Sequence, residues 1–159
     1  MTEFCKKKQR AEELIKQYAD MIYRIAIHNL KNSADAEDVF QDVAMCLLTK
    51  NAPVFDDAHI KNWLIRVTLN KCKNFSRSVW QSRTESLELN TELSVSSQTS
   101  ALELLYTVPT KYRNIIYLYY YEQYTVPEIA EILGENKNTV NSKLQRARKK
   151  LREILEESE

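Results

Sequence analysis

The sequence predicts an all-α fold: two small helical domains joined by a flexible linker, the C-terminal one a helix-turn-helix. Three observations lead there. The 159 residues hold one glycine and three prolines, so turn signals are few, while the good helix formers Leu, Ile, Glu, Lys and Gln abound. Apolar residues recur at helical spacing in segment after segment. One stretch breaks that pattern: QSRTESLELNTELSVSSQTS, residues 81–100, is rich in Ser, Thr, Glu, Gln and Asn, and its apolar residues are isolated. It reads as a linker. The expected division is therefore a domain at 1–80, a flexible acidic and polar linker at 81–100, and a domain at 101–159. The length suits two small helical domains.

The first helix is expected over residues 10–30, with Leu14, Ile15, Tyr18, Ile22, Ile25 and Ala26 on its apolar side. Residues 31–34 break it, and Asn32 or Ser33 can cap the second helix. This second helix, over 35–48, turns Val39, Val43, Leu47 and Leu48 inward, and Pro53 closes that region. Asp56 and Asp57 precede a third helix over about 59–77, with Ile60, Trp63, Leu64, Val67, Cys72 and Phe75 as its apolar side.

Beyond the linker, residues 101–106 predict a short helix, Pro109 a stop, and the residues up to about Glu122 another helix. Tyr117, Tyr119, Tyr120, Tyr121 and Tyr124 are assigned to packing in this scaffold rather than to stacking on bases. The segment from Thr125 to Arg152, TVPEIAEILGENKNTVNSKLQRARKKLR, then reads as two helices around a tight turn. Thr125 and Glu128 have capping-box spacing, with Pro127 tolerated in the first turn. Ile129, Ala130 and Leu133 form one apolar face. Gly134, the single glycine, stands where this helix must end. Asn136 or Asn138 can cap the next helix, in which Val140, Leu144, Ala147 and Leu151 make one buried stripe. Its other face carries Asn141, Ser142, Lys143, Gln145, Arg146, Arg148 and Lys149. No acid occurs from Asn136 to Arg152. A cationic, amide-bearing helix after a tight turn is suited to the DNA major groove.

The net charge is only +1, so diffuse attraction to polyanions is excluded. Charge is instead segregated. Residues 58–84 are also free of Asp and Glu, yet carry Lys61, Arg66, Lys71, Lys73, Arg77 and Arg83. Two separate basic stretches imply two local contacts with nucleic acid. No apolar run is long enough to insert into a membrane, and the N-terminus lacks a signal-peptide pattern, which predicts a cytoplasmic protein. Cys5, Cys46 and Cys72 lack metal-ligand spacing and are expected as reduced thiols. His28 and His59, the two histidines, are expected at the surface or its boundary. With no metal cluster, nucleophile–base motif or glycine-rich phosphate loop, the chain is expected to be neither an enzyme nor a binder of a cofactor, metal or small-molecule substrate.

Two segments resemble one family. The stretch from Val108 to Arg152 is similar to the fourth conserved region of bacterial sigma factors. The matching residues are Pro109, Tyr112, Arg113, Glu128-Ile129-Ala130, Leu133-Gly134, Thr139-Val140, Ser142, Leu144, Arg146-Ala147-Arg148 and Leu151. DAEDVFQDVAMCLL and NWLIRVTLNKCKNFSR resemble the second region through Asp35, Ala36, Glu37, Asp38, Gln41 and Asp42, then Trp63-Leu64, Arg66 and Asn70. Two such regions without an intervening third resemble the extracytoplasmic-function (ECF) sigma factors.

The resemblance implies partners and roles. Asp35, Glu37, Asp38, Gln41 and Asp42 would bind core RNA polymerase. Lys61, Arg66, Asn70, Lys71, Lys73, Asn74 and Arg77 would recognise and help melt the −10 element of promoter DNA, with Trp63 assigned to packing. Lys137, Asn138, Thr139, Asn141, Ser142, Lys143, Gln145, Arg146 and Lys149 would read the −35 element. The linker resembles a segment that threads toward the polymerase active centre, and an anti-sigma factor is implied as a further partner. Glu135 and Asn136 depart from the family, which usually has an apolar residue and then Ser there; the segment after Asn70 is also less arginine-rich than usual. Two other functions fit a helix-turn-helix: an autonomous transcriptional regulator, and an interaction module with a vestigial DNA-binding fold. The acidic helix and the Trp-Leu segment favour the sigma factor, since a plain repressor needs neither.

Overall fold

The computed structural model describes residues 3–49, 57–82 and 108–157, and all regular structure among them is helical. The chain divides into two compact units, residues 1–93 and 94–159.

In the first unit α1 (Glu3–Leu30), α2 (Ser33–Thr49) and α3 (Asp57–Ser82) pack mutually. α1 begins seven residues earlier than its apolar pattern predicts, extending through Lys6, Lys7 and Lys8. Because α1 touches both other helices, its C-terminal part is buried over more than one stripe: Met21, Ile22, Ile25, Ala26, Ile27 and His28 all lie inside. His28, expected at the surface or its boundary, is 1% exposed for this reason. Lys31 ends α1 in the left-handed conformation (φ 57°), its N–H donating to the Ile27 carbonyl at 2.8 Å. Asn32, not Ser33, caps α2: its Oδ1 accepts from the Asp35 N–H at 3.1 Å.

The buried row of α2 is Ala36, Val39, Val43, Cys46 and Leu47. Leu48, predicted to point inward, is exposed, since one residue past Leu47 the helix has turned about 100°. α3 is likewise rotated from its predicted face. Ile60, Leu64, Ile65, Thr68 and Cys72 are buried, while Trp63, Val67 and Phe75 are only half-buried. Thr68 explains the difference: its hydroxyl donates to the Leu64 carbonyl at 2.6 Å, so a polar residue enters the core with its donor satisfied. α3 also runs to Ser82, two residues into the stretch read as linker. The remainder of that stretch, the expected helix at 101–106 and Pro53 lie outside the described residues.

In the second unit Pro109 precedes α4 (Thr110–Ile116), which runs into a π-helical segment, Tyr117–Tyr121. α5 (Val126–Leu133) and α6 (Lys137–Glu157) follow. α6 packs on both α4 and α5. Ala147 meets Val108, Tyr112 and Ile116, with Leu151 and Ile154 against the cluster. Arg113 is 3% exposed, and its Nε donates to the Val108 carbonyl at 2.6 Å, tying the entering strand of chain to α4. The π-segment is closed by the Glu122 N–H on the Tyr117 carbonyl at 3.0 Å, and Gln123 leaves it at φ 60°. It stacks Tyr117 on Tyr121, centroids 5.1 Å apart. Tyr117 and Leu118 are both buried in it.

Candidate nucleic-acid interface

α5 starts with a complete capping box. The Glu128 N–H donates to Thr125 Oγ1 at 3.3 Å, and the Thr125 N–H donates to Glu128 Oε1 at 3.1 Å. The Thr125 hydroxyl also donates to Oε1, at 2.8 Å. These bonds, the backbone one foremost and the hydroxyl second, hold the Glu128 carboxyl below its usual pKa. Gly134 ends α5 at φ 66°, ψ 32°. The Glu135 N–H reaches the Ala130 carbonyl at 2.9 Å and the Gly134 N–H the Glu131 carbonyl at 3.3 Å, the paired bonds of a Schellman motif. Asn136 then opens α6, its Oδ1 accepting from the Asn138 N–H at 2.8 Å and its carbonyl from the Val140 N–H at 3.0 Å. Each of these groups at the turn is met locally, so the two helices cross at a defined angle.

With Val140, Leu144 and Ala147 buried, the opposite side of α6 is set by register. Asn138, Ser142, Gln145, Arg146 and Lys149 share that outward face, with Thr139 at its edge, and all are exposed. Lys137 and Asn141 are exposed on a flank. Lys143 is on the other flank and half-buried: its Nζ donates to Glu135 Oε1 at 2.8 Å. Lys137, Arg146 and Lys149 have no ion pair among the described residues. Arg148, also read from sequence as part of the exposed basic face, turns back on the scaffold. Its Nε donates to the Tyr120 hydroxyl at 2.6 Å, and its guanidinium carbon lies 5.4 Å from the centre of the Tyr119 ring.

In the first unit Arg66, Asn70, Lys73 and Asn74 are exposed along one side of α3, at i, i+4, i+7 and i+8. Arg77 continues that register along the helix backbone. Lys71 is half-buried on the flank it shares with Trp63, Val67 and Phe75. Lys61 is half-buried about 140° around the helix from Arg66 and does not join the row. On α2, Glu37, Asp38, Gln41 and Asp42 are exposed and Asp35 half-buried. Met45 (57% exposed) and Leu48 (37%) extend the same face. Sequence reading missed this apolar extension, because it assigned Leu48 to the core; the register of Val39 and Val43 could have revealed it. Among the described residues no three His, Cys, Asp or Glu side chains converge as metal ligands, and no helix is long and apolar enough to cross a membrane.

A capped helix-turn-helix with an acid-free outward face, on a chain with a second basic helix in a separate unit, defines a helical DNA-binding protein of two parts. Comparison with known proteins agrees. The pattern of sigma-70 region 2 matches residues 14–82, and that of sigma-70 region 4 matches residues 98–151. The RNA polymerase sigma factor SigV of Bacillus subtilis (strain 168) is 33% identical over 156 residues, covering 92% of this chain and 94% of its own length. The ECF RNA polymerase sigma factor SigW of the same organism is 27% identical, with 90% and 87% covered. Among solved structures, the sigma factor RpoE in complex with the anti-sigma factor NepR from Bartonella quintana shares the fold at TM-score 0.71 and 21% identity, covering 91% of this chain and 96% of that one. CnrH in complex with the cytosolic domain of CnrY does so at TM-score 0.68 and 23% identity, covering 99% and 95%. The chain belongs to the sigma-70 family, as an ECF RNA polymerase sigma factor. Its function is to direct promoter-specific transcription by RNA polymerase, and the family is not a catalytic one.

Proposed function

We propose that the two units divide promoter recognition between them, each through its own exposed basic row. α6 reads the −35 element with Asn138, Ser142, Gln145, Arg146 and Lys149 at the centre and Lys137, Thr139 and Asn141 at the margins. Arg and Lys suit phosphates and guanine edges, and Asn and Gln suit adenine. α3 engages the −10 element through the exposed Arg66, Asn70, Lys73 and Asn74, and through Arg77 further along the same helix, with Lys71 and Lys61 beside rather than within the row. The observation that carries this reading is the acid-free outward face of α6, fixed in place by the Gly134 turn.

α2 supplies the polymerase contact. Its exposed Glu37, Asp38, Gln41 and Asp42 would repel DNA, whereas an acidic row passing into Met45 and Leu48 suits a basic, partly apolar protein surface. The chain acts in the cytoplasm and carries out no chemistry of its own. An anti-sigma factor is a further partner, a reading supported by the similar sigma factors that were solved with such proteins bound. The test is co-purification with core RNA polymerase and promoter-specific run-off transcription. Specific operator binding and regulation without polymerase would overturn the reading in favour of an autonomous regulator.

A further inference from the structure

The Glu135–Lys143 pair stands apart from the other charges of the helix-turn-helix. Backbone bonds of the Gly134 turn fix where Glu135 leaves the chain, through its N–H on the Ala130 carbonyl at 2.9 Å. From there its carboxylate reaches along α6 to Lys143, with Nζ 2.8 Å from Oε1. Both side chains are less than one-third exposed, at 30% and 27%. The second carboxylate oxygen, Oε2, is buried and has no hydrogen-bond partner among the described residues. Lys143 is thus the main tie of that carboxylate. Moving its ammonium to a DNA phosphate would leave the carboxylate uncompensated and facing a polyanion.

We propose that Glu135 is a positioning residue that withholds Lys143 from the phosphate backbone. The pair holds the start of α6 to its second turn and presents no net charge to DNA. Non-specific attraction is then carried by cations of α6 that have no ion pair among the described residues, Lys137, Arg146 and Lys149 among them, and the balance shifts toward contacts made on the outward face. This rests on the reading of α6 as the DNA-facing helix.

Counterion release makes the proposal measurable. A cation newly delivered to phosphate steepens the dependence of log K on log salt by about 0.9. The full-length protein is titrated with a fluorescent random-sequence duplex over a range of KCl concentrations. Glu135→Gln is expected to bind more tightly at low salt with a slope steeper by about 0.9. Glu135→Ala, which retains the backbone bonds of the turn, should give the same change. Adding Lys143→Met to either variant should restore the original slope. An unchanged slope in both single variants, or a steeper slope that survives Lys143→Met, overturns the proposal while the DNA reading stands. Absence of salt-dependent duplex binding by the unaltered protein, both alone and in complex with core RNA polymerase, overturns both.

Discussion

Arg148 and Tyr120 are joined across the second unit: the arginine Nε donates to the tyrosine hydroxyl at 2.6 Å, and its guanidinium carbon lies 5.7 Å from the centre of the same ring. The contact links α6 to the π-helical end of the α4 segment, 28 residues earlier. It converts an arginine that sequence places on a basic face into a strut between scaffold and recognition helix.

Removing that hydroxyl is a mild test of the strut. Tyr120→Phe keeps the ring under the guanidinium but deletes the acceptor. Both groups are exposed, so the loss should be no more than about 1 kcal/mol. Urea unfolding of Tyr120→Phe, Arg148→Ala and the double variant should show a coupling of that order. Full additivity would mean that the contact contributes nothing.

The two-part reading predicts separable defects. Arg146→Ala removes an unpaired cation from the outward face of α6 and should cost about 1–3 kcal/mol of −35-dependent binding while leaving core-polymerase affinity intact. Asp38→Arg reverses a charge on the exposed face of α2 and should weaken polymerase association by about tenfold or more. Gel-shift of the holoenzyme on a −35 duplex at saturating core polymerase, and co-purification with core polymerase, distinguish them. Equal defects of one variant in both assays would contradict the division.

The cap of α5 should be visible in the pH dependence of stability. Thr125→Ala should cost about 1 kcal/mol at neutral pH. The Thr125 N–H foremost, and its hydroxyl second, hold the Glu128 carboxyl below its ordinary pKa; the variant keeps the N–H and loses the hydroxyl, whose part of the contribution is present above the carboxylate range. It is lost as pH falls through the lowered value. The gap between the melting curves of wild type and variant should therefore narrow in acid. A residual gap should remain there, because the Glu128 N–H still has Thr125 Oγ1 as its acceptor.

The thiols should divide by burial. Cys5 is exposed, while Cys46 and Cys72 are buried. Burial pushes the Cys72 thiol up from 9.0 to about 12. A thiol reagent near pH 8 should label Cys5 in the folded protein and all three cysteines after denaturation. Between the unfolded value and about 12 the folded state keeps a proton that the unfolded chain releases, so Cys72 lowers stability as pH rises through that window. Rapid labelling of Cys72 under native conditions would show that α3 opens locally.

Much of this was legible in the residues. The all-α class, the family, the capping box, the role of Gly134 and the Val140–Leu144–Ala147 stripe all rest on local rules: spacing, caps and one glycine with access to positive φ. Face assignments were less secure where a polar residue could be satisfied by its own helix. Thr68 bonds its own helix backbone and is buried together with Ile65, while Trp63 and Phe75 are half-buried. His28 is buried because two helices cover α1 at once.

By itself, then, the sequence determined which of the described segments are helices, where the recognition turn lies and which stretches are free of acid, since each depends on residues within a few positions of one another. Only the tertiary structure decided which cations remain available. Lys143 and Arg148 are captured by Glu135 and Tyr120, partners eight and 28 residues away, while Arg146 and Lys149 are not. A charge pattern records where cations occur along the chain; how far each is tied down depends on what the fold brings within hydrogen-bonding distance.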